Sequence, residues 1–136
     1  MIEASDERAP KGGGSRQILV IDDHPQTAAA LAAVLARDGY QPHVCHSGHD
    51  ALAAAQRRLP RAALVDIHLP DINGLIVAQK LREALGPDVP IIVVSGDTSM
   101  ANLNALRHVG ATYFLSKPLS ASHLLERLRE WLPDAA

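Results

Sequence analysis

Three stretches of the chain are apolar at every position. Ile18-Leu19-Val20-Ile21 runs into two aspartates, Ala62-Ala63-Leu64-Val65 into Asp66, and Ile91-Ile92-Val93-Val94 into Ser95. A strand with one wet face alternates apolar and polar residues, so unbroken apolar runs of this length predict strands buried on both faces of a parallel sheet. Two runs of mixed polarity, His43-Val44-Cys45-His46 and Tyr113-Phe114-Leu115-Ser116, have the look of edge strands. Between the runs the period lengthens to that of a helix. Residues 26–38 place Ala28, Leu31, Val34 and Leu35 on one face, with Gly39 as a C-terminal stop. Helices are also expected over 50–58, 75–85 and 99–108, the last burying Met100, Leu103 and Leu106. A final helix opens at Ser120 and buries Leu124, Leu125, Leu128 and Trp131 or Leu132 before Pro133. Five strands alternating with five helices imply right-handed crossovers and one doubly wound α/β domain over residues 17–132.

Composition narrows this little. The 136 residues suit one domain, 47% are apolar, and the net charge of −2 offers no basic stripe for nucleic acid. No apolar run reaches the roughly 18 residues of a membrane span. Residues 1–16 balance three acids against three bases around Pro10 and Gly12-Gly13-Gly14, and are expected to be a flexible tail, as are residues 133–136. The single cysteine, Cys45, excludes an internal disulfide and suits the reducing cytoplasm.

The polar residues gain meaning from where the strands end. In open α/β sheets, ligands bind beyond the carboxyl ends of the strands. Strand one delivers Asp22 and Asp23 there, strand three Asp66, strand four Ser95 and Gly96, and strand five Lys117. Singly, each is an ordinary cap, turn or surface residue, and Pro25 makes an aspartate N-cap natural. Together, three carboxylates at one rim repel one another, and a divalent cation relieves that cost. An all-oxygen donor set favours Mg2+ over Zn2+. Lys117 and Ser95 then suit the oxygens of an incoming phosphoryl group, with a carboxylate as its acceptor. The dense run His43, Cys45, His46 and His49 is not expected to form a zinc site, because a strand points His43 and Cys45 to one face and His46 to the other.

With those residues in place, the chain resembles the receiver domain of two-component response regulators, from about Gln17 to Leu132. The segments that carry the likeness are Val20-Ile21-Asp22-Asp23, Leu64-Val65-Asp66 through Asn73-Gly74, Val93-Val94-Ser95-Gly96, and Gly110 through Lys117-Pro118. The resemblance implies a flavodoxin-like fold with strand order 2-1-3-4-5. It implies a bacterial, cytoplasmic phosphorelay in which a histidine kinase or histidine phosphotransfer protein donates a phosphoryl group to Asp66 with Mg2+. Asp23 matches the direct metal ligand, Asp22 assists through water, and the backbone carbonyl of His68 joins Asp66 in the set. Ser95 and Lys117 match the phosphate-contacting pair, Ser95 and Phe114 the switch, and Lys117-Pro118 a cis peptide. His68 and Asp97 stand where side chains tune the lifetime of the acyl phosphate. Output is expected through the surface of helix four, strand five and helix five, toward an unknown downstream protein or a second copy. With only Pro-Asp-Ala-Ala after residue 132, the chain is expected to be a stand-alone receiver, or the receiver part of a hybrid kinase. Two further readings stay open: an interaction module that needs no phosphorylation, and an aspartate-nucleophile phosphatase. Against the second, Asp66 lacks an acid two residues on and the chain has no lid insertion.

Overall fold

In the computed structural model, which describes residues 16–96, 104, 106 and 108–132, the three apolar runs are the central strands. β1 (Gln17–Ile21), β3 (Ala62–Asp66) and β4 (Ile91–Ser95) are buried at every position. The sheet is parallel throughout, in the order β2-β1-β3-β4-β5, and its edges are β2 (Gln41–Cys45) and β5 (Tyr113–Ser116). Alternation along each strand sends side chains to two cores. Leu19, Ile21, Ala63, Val65, Ile91 and Val93 meet one pair of helices, α2 (Gly48–Arg57) and α3 (Gly74–Leu85). Ile18, Val20, Ala62, Leu64, Ile92 and Val94 meet α1 (Pro25–Arg37) and the C-terminal helix (Ala121–Trp131). This is the flavodoxin-like, doubly wound arrangement that the runs and the resemblance led one to expect. Of the expected fourth helix, Asn104, Leu106, His108 and Val109 are helical and Leu106 is buried; Met100 and Leu103 lie outside the described residues.

Element ends depart from expectation where distant residues decide them. β2 starts at Gln41, two residues early, because it pairs with Gln17 of β1. Pro42 is tolerated in it because β2 pairs with β1 alone. α2 also starts two residues early. Ser47 Oγ accepts from Asp50 N at 3.2 Å, and the Asp71 carboxylate, from the β3–α3 loop, accepts from Gly48 N and His49 N, both at 2.9 Å. α1 is capped by His24 rather than by an aspartate, and His24 makes no side-chain cap bond. The C-terminal helix buries Leu124 and Leu128, followed by Leu132, and leaves Leu125 and Trp131 partly covered.

Two close approaches fix the rims of the sheet. Gly74, at the start of α3, sits so near the end of β3 that a Cβ there would collide with the Asp66 carbonyl and come within 2.6 Å of Ile67 Cα. At the other rim, Arg82 of α3 donates to the carbonyls of Gly86 (2.7 Å), Val89 (2.9 Å) and Gly110 (3.0 Å), and to Thr112 Oγ1 (3.1 Å). Thr112 in turn accepts from Ile91 N at 2.9 Å, so one guanidinium ties together the starts of β4 and β5.

Candidate functional site

The carboxyl ends of β1, β3, β4 and β5 converge as the polar residues suggested. Asp22 and Asp66 are 4% and 3% exposed, so both carboxylates are nearly dry. Asp66 is anchored at both oxygens: Oδ1 accepts from His68 N at 3.0 Å, and Oδ2 lies 3.0 Å from Lys117 Nζ. Lys117 also stands 3.9 Å from Asp22 Oδ2 and keeps about a third of its side chain in solvent. Its reach is set by the backbone, because Lys117 N donates to Ser95 O at 3.0 Å, joining the ends of β4 and β5. Ser95 itself is fully buried. The peptide bond Lys117-Pro118 is cis.

Asp22, Asp23, His24 and Asp66 each offer one donor atom within 4.8 Å of the others, so four donors could share one cation. His24 was not among the residues singled out from sequence, although it directly follows the aspartate pair. Its Nδ1 is 3.1 Å from Asp22 Oδ1 and 3.2 Å from Asp23 Oδ1, and Asp22 Oδ1 also accepts from His24 N at 2.9 Å. The approach to Asp23 lacks hydrogen-bond alignment, and Asp23 Oδ1 is a buried atom without a hydrogen-bond partner. A buried, unpaired carboxylate oxygen facing two further carboxylates is what a divalent cation would satisfy, so the residues fit such an ion. Among the described residues, three carboxylates stand against the single ammonium of Lys117, and that surplus of negative charge is the site's main electrostatic feature.

The remaining candidates fall around this centre. His68 is exposed and meets Asp66 through its N–H. Phe114 is partly buried against the core shared with α3 and Leu106, opposite Val93 in register. Its neighbour Tyr113 faces the other way and packs edge-on against Trp131, with ring centroids 5.4 Å apart. Asp97 lies outside the described residues. The histidine run near Cys45 disperses. His43 meets Gln17 (3.2 Å), His46 the backbone carbonyl of Asp22 (3.1 Å), and His49 the Asp71 carboxylate (2.6 Å). Burial pushes the Cys45 thiol up, away from thiolate chemistry. The N–H groups of Gly48 and His49 hold the Asp71 carboxyl well below the usual carboxylate range.

Comparison with known proteins agrees with this fold. The sequence model of the response regulator receiver domain matches residues 18–129. The photosynthetic apparatus regulatory protein RegA of Rhodobacter capsulatus is 32% identical over 124 residues, which are 91% of this chain and 67% of that protein. The chain spans about half to two thirds of the length of the curated relatives it matches. Among solved structures, a CheY-like receiver domain protein from Methanospirillum hungatei superposes with a TM-score of 0.83 at 28% identity, covering 89% of this chain and 96% of that one. A response regulator protein from Burkholderia pseudomallei, solved with a phosphorylated aspartic acid, calcium ion and citrate, has a TM-score of 0.75 at 34% identity, over 80% of this chain and 64% of that one. The chain belongs to the response regulator receiver domain family of two-component signalling proteins.

Proposed function

We propose that the chain accepts a phosphoryl group on Asp66 from a phosphohistidine of a histidine kinase or histidine phosphotransfer protein. The observation that carries this is the setting of Asp66: a buried carboxylate, oriented at both oxygens, beside one ammonium and two further carboxylates. In the transfer, a carboxylate oxygen of Asp66 bonds to phosphorus while the phosphorus–nitrogen bond of the donor breaks, and the imidazole leaves with the bonding pair. His68 N and Lys117 fix the direction in which Asp66 presents its oxygens. Lys117 and the Ser95 hydroxyl then take up charge on the phosphoryl oxygens. Asp22, Asp23, Asp66 and the His68 carbonyl would hold Mg2+, which when bound offsets negative charge on the transferred group. The phosphorylated aspartic acid and calcium ion of the Burkholderia protein support this reading.

The donor would dock beside Lys117, where an apolar cleft of about 520 Å³ opens among Thr27, Ala30, Leu31, Val34, Pro118 and Leu119. Once Asp66 carries the phosphoryl group, movement of Ser95 toward it would draw in Phe114 and alter the outer face of β5 and its flanking helices. That face would bind a downstream protein or a second copy of the chain. Asp97 and the His68 side chain would set how fast water removes the group.

Incubation with acetyl phosphate and Mg2+, followed by intact-mass measurement, tests the proposal. One phosphoryl group should be gained by the wild type and none by Asp66→Ala. No adduct and no turnover would favour an interaction module, whereas rapid turnover of many phosphoesters would favour a phosphatase.

A further inference from the structure

His24 gives the acidic rim a nitrogen donor that an all-carboxylate site lacks. Its Nδ1 faces two carboxylate oxygens, at 3.1 Å from Asp22 and 3.2 Å from Asp23. One N–H can satisfy one of them, and the hydrogen bond goes to Asp22 Oδ1, leaving Asp23 Oδ1 buried without a hydrogen-bond partner. A shared cation resolves all three atoms at once. Two donors held about 2.1 Å from a metal and adjacent in its shell lie about 3.0–3.4 Å apart, from octahedral to tetrahedral geometry. Both nitrogen–oxygen separations fall in that interval. Pro25 at the start of α1 and the His24 N–H bond to Asp22 Oδ1 hold the backbone so that the imidazole lies over the carboxylates. The ring is about two-thirds exposed, so it can turn onto an incoming ion at little cost.

We infer that His24 is a metal-specificity residue, supplying Nδ1 to the cation held by Asp22, Asp23 and Asp66 and shifting its preference from Mg2+ toward a borderline transition ion such as Co2+ or Ni2+. The inference rests on the phosphoacceptor reading of this rim and goes beyond it in naming a ligand. The chemistry follows from donor type. Imidazole suits the later first-row ions, whereas Mg2+ prefers oxygen and water. Coordination requires the Nε2–H tautomer, with the Nδ1 lone pair directed at the ion.

Titration calorimetry of the full chain with MgCl2 and with CoCl2, each competed by the other, is compared for wild type and His24→Gln. The ratio of Co2+ to Mg2+ affinity should fall tenfold or more in His24→Gln. Proton NMR of the Co2+-loaded wild type should show a far-shifted, exchangeable imidazole N–H resonance that His24→Gln lacks. A ratio unchanged within twofold, or no such resonance from the wild type, would overturn the role of His24 and leave the phosphoacceptor reading standing. Mg2+ binding that survives Asp23→Asn undiminished, or binding of neither ion to the wild type, would remove both, because the shared cation site itself would then be wrong.

Discussion

At the rim where β4 and β5 begin, Arg82 brings one positive charge to four acceptors and engages all three of its nitrogens. At the opposite rim, Asp22, Asp23 and Asp66 bring three negative charges to one ammonium and one imidazole, and Asp23 Oδ1 has no hydrogen bond. Both rims place polar groups at the ends of the same parallel sheet. The first is closed: every acceptor is a group whose position the fold already needs, so the guanidinium holds structure together. The second is open, with carboxylate charge in excess of its partners. The contrast teaches that a structural polar cluster is recognised by complete pairing, and a working one by a deficit.

Removing a charge from each of the two rims should therefore have effects that differ in sign as well as size. The largest effect is expected where backbone meets backbone. Gly74→Ala pushes a methyl group into the end of β3 and should cost at least about 3 kcal/mol in urea denaturation, with phosphoryl uptake lost alongside. Arg82→Ala removes charge-assisted bonds and should cost about 2–3 kcal/mol, while the surviving folded protein takes up phosphoryl groups at the wild-type rate. A slowed uptake in that variant would blur the division between the rims. Asp23→Asn should act in the opposite direction. Without metal it relieves like-charge repulsion and should stabilise by about 0.5–1 kcal/mol, and the rise in Tm on adding Mg2+ should disappear. A destabilised, Mg2+-responsive Asp23→Asn would mean that the open rim is not in surplus.

The smallest effect concerns the cap of α2. Asp71 has a depressed carboxyl value in the fold, so it stabilises the native state at pH above the unfolded value of about 4 and loses that contribution as pH falls through the native one. The Tm of Asp71→Ala should lie below that of the wild type at pH 7, and the gap should close below about pH 4. A gap independent of pH would assign the effect to lost packing instead.

The difference between the rims also marks what a sequence discloses. β1, β3 and β4 were legible because unbroken apolar runs have few structural meanings, and Asp22, Asp66, Ser95 and Lys117 were legible because each follows such a run or its edge-strand counterpart. The strand order came from the likeness to receiver domains, since periodicity carries no information on which strand pairs with which. The starts of β2 and α2 were misjudged because Gln17 and Asp71, distant in sequence, determine them. His24 passed unnoticed for a related reason. Its neighbours Asp22 and Asp23 were already explained as ligands, and nothing in a residue's identity tells whether its ring turns back over them. The Arg82 clamp left no pattern at all, because three of its four acceptors are backbone carbonyls, which every sequence supplies.

The proposed acceptor role of Asp66 has one direct chemical consequence. An acyl phosphate formed there with acetyl phosphate and Mg2+ can be reduced by borohydride, which converts the modified aspartate to homoserine. Peptide mapping by mass spectrometry should then find homoserine at position 66, with no other aspartate converted. Conversion at Asp22, Asp23 or Asp71 in its place, or at no position, would contradict the assignment of Asp66 as the acceptor.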